Sequence, residues 1–164
     1  MTILGIDPGT TRLGYAVVGG TRQHPVLLES GVIGNVRLAP AARLKAIYTE
    51  LTLILSSAKP DAVAVEKVFF SKNTKTAMSI AEARGVILLT AAMAGHRVYE
   101  YAPQEIKIAL TGIGNAGKAQ VAGMVSALLH LTKPTYWDDE SDAMAIAITG
   151  LVLEHDTNYK RSSV

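Results

Sequence analysis

A short apolar segment between two acidic residues limits the possible folds of this chain more than any other feature. Ala62 to Val65 is uniformly apolar and is bounded by Asp61 and Glu66. A strand that is apolar on both sides of its pleat needs cover on both faces, as the central strand of a parallel sheet has. The segment therefore predicts an α/β fold with helices packed on a sheet.

The rest of the chain alternates between strand and helix patterns. Three apolar strands come first, at residues 2–6, 13–18 and 26–33, and the glycine-containing turns between them predict an antiparallel meander. The later segments predict a helix from Pro40 to the Lys59–Pro60 pair, a long helix over 74–94, a strand over 98–101, a short helix from Pro103, and helices over 118–129 and 139–153. Together with Ala62–Val65, these elements predict a mixed five-stranded sheet, antiparallel in its first three strands and then parallel.

The composition is that of one folded domain. The chain has 164 residues, 49% hydrophobic and 18% charged, which excludes disordered and low-complexity classes and allows a real core. We expect residues 1–155 to form this domain and residues 156–164 to be a frayed tail. No apolar run reaches the ~20 residues of a membrane span, and the start lacks a basic signal region. We therefore expect a cytoplasmic protein without membrane contact.

Four acidic residues lie where this architecture would gather them. Asp7 ends the first strand and Glu66 ends the fourth, so both reach one sheet edge if the two strands are neighbours. Asp139 and Asp142 are three residues apart at the start of the last helix and share a face of it. A carboxylate at the end of a buried strand needs a partner, and hard divalent cations are partners that prefer oxygen ligands.

Each of these acids also has an ordinary structural explanation. Asp7 precedes Pro8–Gly9 and suits a turn, while Asp139 suits a helix N-cap with Asp142 in the first turn. Asp138 is an extra acid beside the last pair, so the register of that pair is open by one residue. Only the four positions together favour a metal site.

The chemistry of such a set is phosphodiester hydrolysis. Two Mg²⁺ or Mn²⁺ ions held by carboxylates activate a water and stabilise a leaving oxygen. The protein itself then needs no nucleophilic side chain, which suits a chain with no cysteine and no evident Ser-His-Asp set.

Four segments of the chain resemble the RuvC family of bacterial Holliday junction resolvases, in order and with similar spacing. These segments are Ile3–Thr10, Val63–Phe70, Gly112–Asn115 and Asp139–Ala143. The resemblance implies an RNase H-like fold and a homodimer that nicks two strands of like polarity at a four-way DNA junction. It also implies dependence on Mg²⁺ or Mn²⁺, two ions per site, and partnership with the RuvA–RuvB branch-migration complex.

The resemblance assigns site residues as well. The four metal-binding and catalytic acids fall on Asp7, Glu66, Asp139 and Asp142. DNA-binding positions fall on Phe69, which would stack at the junction centre, and on the basic residues Lys72, Lys107 and Lys118. Weaker candidates for contacts to the DNA backbone are Lys75 and Arg84. Part of the apolar helix over 74–94 would form the dimer interface.

Two other functions share parts of this pattern. The segment Gly5–Thr11 also resembles the first phosphate motif of actin-like ATPases, although one domain of this length has no second half to close on a nucleotide. A related RNase H-like nuclease that acts on other branched nucleic acids is the second alternative. The glycine-rich segment Gly112–Lys118 nearly fits a P-loop, but Ala119 stands where that motif has a serine or threonine.

Overall fold

The computed structural model describes residues 1–9, 11–34, 38–68, 74–132 and 137–154. The strands are β1 (Thr2–Asp7), β2 (Leu13–Gly20), β3 (Pro25–Ile33), β4 (Ala62–Glu66) and β5 (Arg97–Tyr101). The helices are α1 (Pro40–Ala58), α2 (Thr74–Met93), α3 (Pro103–Thr111), α4 (Lys118–Leu128) and α5 (Asp138–Glu154).

The five strands form one mixed sheet in the order β3-β2-β1-β4-β5. The first three strands pair antiparallel as a meander. The other two join in parallel, β4 along β1 and β5 along β4. This is the sheet that the sequence predicts, and β4 is its apolar strand with neighbours on both sides.

Helix α5 lies directly on one face of the sheet. Gly5 of β1 and Gly14 of β2 allow this approach, because a β-carbon at either position would overlap the backbone of α5. Small residues on the helix, Ala143 and Ala147, are fully buried against the strands. The start of α5 is therefore fixed close to the carboxyl end of β1.

Helices α1 and α2 cover the other face of the sheet. Their side of the core is built from larger side chains, with Leu51 and Ile87 of the helices against Leu4, Ile6 and Val65 of the strands. Lys59 ends α1 in the left-handed conformation, with its N–H donating to the Leu55 carbonyl, and Pro60 follows. The sequence signal for the end of this helix is thus confirmed.

The predicted elements agree with the structure apart from small shifts at their ends. Helix α5 begins at Asp138 rather than Asp139, so Asp139 lies in the first turn and is not an N-cap. The segment before the glycine-rich loop is the helix α3, which confirms that no dinucleotide-binding strand precedes it. Within the described residues, no helix is long and apolar enough to cross a membrane.

Candidate active site

Two strand ends place Asp7 and Glu66 side by side. The parallel register pairs Ile6 of β1 with Val65 of β4, and each acid is the next residue of its strand. Both side chains are partly buried, and the charge of Glu66 acts on Asp7. The predicted neighbourhood of these two carboxylates is thus present.

Helix α5 brings two further acids to the same edge. Gly14 of β2 lies against the backbone of Asp139, where no larger residue fits. The charges of Asp139 and Asp142 both act on Asp7, so the helix start and the strand end share one electrostatic environment. The start of α5 therefore lies within electrostatic reach of the carboxylate at the end of β1.

The register between Asp138 and Asp139 follows from exposure. The Asp138 side chain is 85% exposed, whereas those of Asp139 and Asp142 are 26% and 38% exposed. Asp138 is also absent from the charges that act strongly on Asp7. The pair that faces the strand carboxylates is therefore Asp139 and Asp142.

The pKa of Asp7 responds to its burial and to the neighbouring acids. Burial raises the pKa of Asp7 from 3.8 to about 7, and the charges of Glu66, Asp142 and Asp139 add to this effect, while Lys118 opposes it. Burial and the neighbouring negative charges thus favour the protonated form of this carboxyl unless a cation compensates its charge.

Glu66 and Asp142 are shifted in the same direction. Burial is the main cause that raises the pKa of Glu66, with a contribution from Asp142 and an opposing one from Lys107. Burial also raises the pKa of Asp142, against the opposing effect of Lys118. Carboxylates whose pKa is raised by burial and by neighbouring negative charges are typical of functional sites.

Two of the predicted basic residues border this site. A cavity of about 260 Å³ between α3, α4 and α5 is lined by Glu66, Lys107, Lys118 and Asp142 over an apolar floor that includes Ile106 and Ile146. Nζ of Lys118 lies 3.2 Å from Asp142 Oδ2 and 3.3 Å from Asp138 Oδ2. Burial alone would lower the pKa of Lys118, but these two carboxylates outweigh it and raise that pKa.

The structure also shows site residues that sequence reasoning missed. Nε of Arg12 lies 3.3 Å from Oδ2 of Asp139, and the guanidinium carbon lies 4.0 Å from the ring centre of Trp137. Behind them, Ser30 of β3 donates a 2.9 Å hydrogen bond to Oε1 of Glu140. No local pattern connects these residues, since each partner lies far along the chain.

The other predicted DNA-binding residues either lie outside the described residues or pair with another side chain. Phe69 and Lys72 lie outside the described residues, as does the side chain of Lys75. Arg84 is ion-paired with Glu100, which ties α2 to β5. Lys107 and Lys118 are therefore the described basic candidates at the site.

The donor set fits a hard divalent cation. Four carboxylates supply oxygen ligands, and the raised pKa of Asp7 shows that its buried surroundings disfavour the charged form unless a cation lies nearby. Within the described residues, however, no three acidic or histidine side chains converge closely enough to hold an ion as they stand. Asp139 and Asp142 are instead occupied by Arg12 and Lys118.

Fold and site together define the class of RNase H-like nucleases. The sheet has the strand order β3-β2-β1-β4-β5, and acids from β1, β4 and α5 lie at one edge of it. The family model for crossover junction endodeoxyribonuclease RuvC matches residues 3–150. The chain belongs to this family, and the resemblance in the sequence motifs is confirmed. Membership of this nuclease family implies dependence on a divalent metal ion.

Individual relatives agree over nearly the whole chain. A crossover junction endodeoxyribonuclease RuvC from Pelotomaculum thermopropionicum is 44% identical over 149 residues, 90% of this chain and 91% of the relative. The Thermus thermophilus RuvC structure matches with a TM-score of 0.86 at 35% identity, covering 94% of this chain and 96% of that one. T. thermophilus RuvC in complex with a Holliday junction substrate matches with a TM-score of 0.88 at 37% identity, covering 93% of each chain.

Proposed function

We propose that this protein is a Holliday junction resolvase that makes paired, symmetric nicks in strands of like polarity at four-way DNA junctions. The observation that carries the proposal is the gathering of Asp139 and Asp142 around the Asp7–Glu66 pair. Family membership supports the substrate, since a relative of the same fold is described with a Holliday junction. It also favours this function over the actin-like and other-nuclease alternatives.

The proposed cofactor is a pair of Mg²⁺ or Mn²⁺ ions held by Asp7, Glu66, Asp139 and Asp142. Such ions supply activation of a water and stabilisation of the 3′-oxygen leaving group. The observation behind this proposal is the donor chemistry: four carboxylates supply hard oxygen ligands, and burial together with the neighbouring negative charges raises the pKa of Asp7 to about 7. Bound cations would compensate the negative charge of these carboxylates.

The chain's own cations have a separate role. Lys118 is 63% exposed and reaches the site from the start of α4, and Lys107 reaches it from α3. We assign both to contacts with the scissile phosphate and its neighbours, where a positive charge stabilises the developing negative charge. Phe69 and Lys72 are proposed as further junction contacts from the sequence resemblance.

A homodimer is the proposed assembly. Helix α2 exposes large apolar side chains on one face, with Met78, Leu89 and Met93 at 68%, 58% and 69% exposure. A face of this kind suits an interface with a second copy, which places two active sites about a two-fold axis. That symmetry accounts for paired nicks. The RuvA–RuvB complex and the cytoplasm are the proposed partner and location, from the family resemblance.

The testing experiment is cleavage of a synthetic four-way junction with Mg²⁺ or Mn²⁺, beside a linear duplex of the same sequences. Glu66→Gln serves as the variant, because it keeps the shape of the side chain and removes its charge. We expect paired nicks on the junction alone, lost in the variant while junction binding persists. Denaturing gels with each strand labelled in turn measure the symmetry.

Either of two results would overturn the proposal. Cleavage of the linear duplex at a similar rate would favour a nuclease without junction selectivity. No cleavage with either metal, at protein concentrations that saturate the junction, would indicate a silent DNA-binding protein.

A further inference from the structure

The positively charged side chain of Arg12 lies at the site proposed for the metal ions. It follows β1 in the turn to β2 and pairs with Asp139, one of the four carboxylates. The Arg12 side chain is only 36% exposed, and its guanidinium stacks over Trp137. A positive side chain thus occupies a ligand position that the proposed metal would need.

The backbone around Arg12 is fixed from two sides. Gly9 lies against the Arg12 carbonyl so closely that a β-carbon there would overlap it. Gly34, at a positive φ of 117°, packs against the backbone of Thr11 and Arg12. The contacts of Gly9 and Gly34 therefore restrict the backbone from which the Arg12 side chain extends.

The contact with Asp139 is nevertheless easy to displace. The Nε atom of Arg12 is buried and makes no hydrogen bond to any described residue, so its 3.3 Å approach to Asp139 lacks directed geometry. A partly exposed ion pair of this kind contributes little. The stacking on Trp137 keeps the guanidinium near the site even when the carboxylate turns away.

We propose that Arg12 is a displaceable counter-ion that competes with the divalent cation for Asp139, and that Trp137 retains the released guanidinium beside the DNA phosphates. The inference rests on the proposed function and adds a regulation of its site. Its basis is the Arg12–Asp139 ion pair and the position of the guanidinium over the Trp137 ring.

The chain offers its own spectroscopic reporter for this exchange. Trp137 is the single tryptophan in the sequence, so tryptophan emission reports on the Arg12 contact without further labelling. We expect Mg²⁺ to change the emission of the intact protein, because the guanidinium shifts over the ring when Asp139 is taken up. In Arg12→Ala, we expect Mg²⁺ to leave the emission unchanged although the ion still binds.

The decisive measurement is the Kd for Mn²⁺, obtained by counting free Mn²⁺ with electron paramagnetic resonance. We expect Arg12→Ala to bind Mn²⁺ about fivefold more tightly, since the ion no longer displaces a partly exposed ion pair. Arg12→Lys keeps the competing charge, so its Kd should lie within about twofold of the wild type. Lys45→Ala, which removes one exposed positive charge from α1, should leave the Kd unchanged.

The outcomes separate this inference from the proposed function. Weaker or unchanged Mn²⁺ binding by Arg12→Ala, with normal binding by the wild type, would overturn the competition and leave the metal site intact. An equal gain in Lys45→Ala would also overturn it, since the effect would then come from net charge alone. Failure of the wild type to bind Mn²⁺ at all would instead overturn the proposed function.

Discussion

On one face of the sheet, α5 lies so close to β1 and β2 that only glycine fits at the contacts, whereas α1 and α2 cover the other face through branched side chains. Gly5 and Gly14 lie against α5, while Leu51 and Ile87 fill the opposite layer. Close backbone contact fixes the helix start relative to the strand ends, because a shift of either backbone makes a clash.

The two faces differ in what they contribute: one places acidic side chains at defined positions, and the other supplies apolar surface. Asp139 and Asp142 come from the helix of the tight face, and they must reach Asp7 and Glu66 on the strands. The opposite face carries none of the four acids and instead exposes apolar residues on α2, including Met78 and Leu89. One face therefore positions two of the four proposed ligands, and the other fills the core with larger side chains and leaves apolar residues of α2 exposed.

The largest expected effect comes from removing charge at the centre of the tight face. Asp7→Asn keeps the size of the side chain but loses one carboxylate ligand. We expect junction cleavage to fall by about a thousandfold or more, comparable with loss of a main electrostatic group in other active sites. Single-turnover cleavage at saturating Mg²⁺ measures it. A variant with more than a tenth of normal activity would contradict the central place of Asp7.

A matched pair of core substitutions tests the comparison itself. In Gly14→Ala the new β-carbon overlaps the carbonyl of Asp139, so we expect unfolding to become easier by about 1–3 kcal/mol and cleavage to fall about a hundredfold. In Ile87→Ala, on the other face, we expect a loss of about 2–5 kcal/mol but cleavage within a few-fold.

Chemical denaturation and cleavage below the unfolding range measure both quantities. Gly123→Ala is the control for adding a methyl group, because nothing lies within 4 Å of that position on α4. It should gain up to about 1 kcal/mol of stability. Equal losses of activity in Gly14→Ala and Ile87→Ala would remove the distinction between the two faces.

The apolar face of α2 allows a second test, of whether this side of the molecule forms the proposed dimer interface. If α2 forms the proposed dimer interface, we expect Leu89→Glu to give a folded monomer, because a charge in the centre of an apolar interface is left unpaired. Leu53→Glu makes the same change on α1 at a residue of similar exposure, and should leave the dimer intact. Sedimentation velocity measures the mass, and circular dichroism measures the fold. Dimers in both variants would place the interface elsewhere.

The pH dependence of stability gives a smaller effect with a defined sign. The pKa of Asp7 is about 7 in the folded chain and near 3.8 when it is unfolded, so the folded state binds the extra proton between these values. The stability of the metal-free protein should thus fall as pH rises from about 4 through about 7, relative to Asp7→Asn. At pH 8, Asp7→Asn should be more stable by about 2–4 kcal/mol.

Thermal unfolding in EDTA at several pH values measures this difference. Saturating Mg²⁺ should remove or reverse it, since the bound cation stabilises only the wild-type carboxylate. A difference that stays constant from pH 5 to pH 8 would contradict the raised pKa.

Part of the fold and of the candidate site is predictable from the sequence, because the patterns that indicate it lie within short segments of the chain. The strand and helix patterns, Pro40 at the start of α1 and the acids at the ends of β1 and β4 are all visible within short windows. The contact between Gly14 and Asp139, and that between Arg12 and Trp137, join distant segments and leave no periodic trace. Arg84 shows the same limit, because its partner Glu100 lies on another element.

The smallest expected effect concerns the hydrogen bond from Ser30 of β3 to Glu140, which anchors the start of α5. Ser30→Ala removes the hydrogen bond to Glu140, and we expect a loss of about 0.5–1.5 kcal/mol together with a few-fold lower cleavage rate. Ser57→Ala removes a hydroxyl bond to the Ile54 carbonyl on the other face, and should not lower the rate. Equal rates in the two variants would show that this anchor does not position α5.

The most direct test of the metal site is an anomalous difference map from a crystal of the wild-type protein soaked in Mn²⁺. We expect density between the carboxylates of Asp7, Glu66, Asp139 and Asp142, and its loss in Asp7→Asn crystals grown in the same form. Strong manganese peaks elsewhere, with none among these four side chains, would contradict the assignment of the active site.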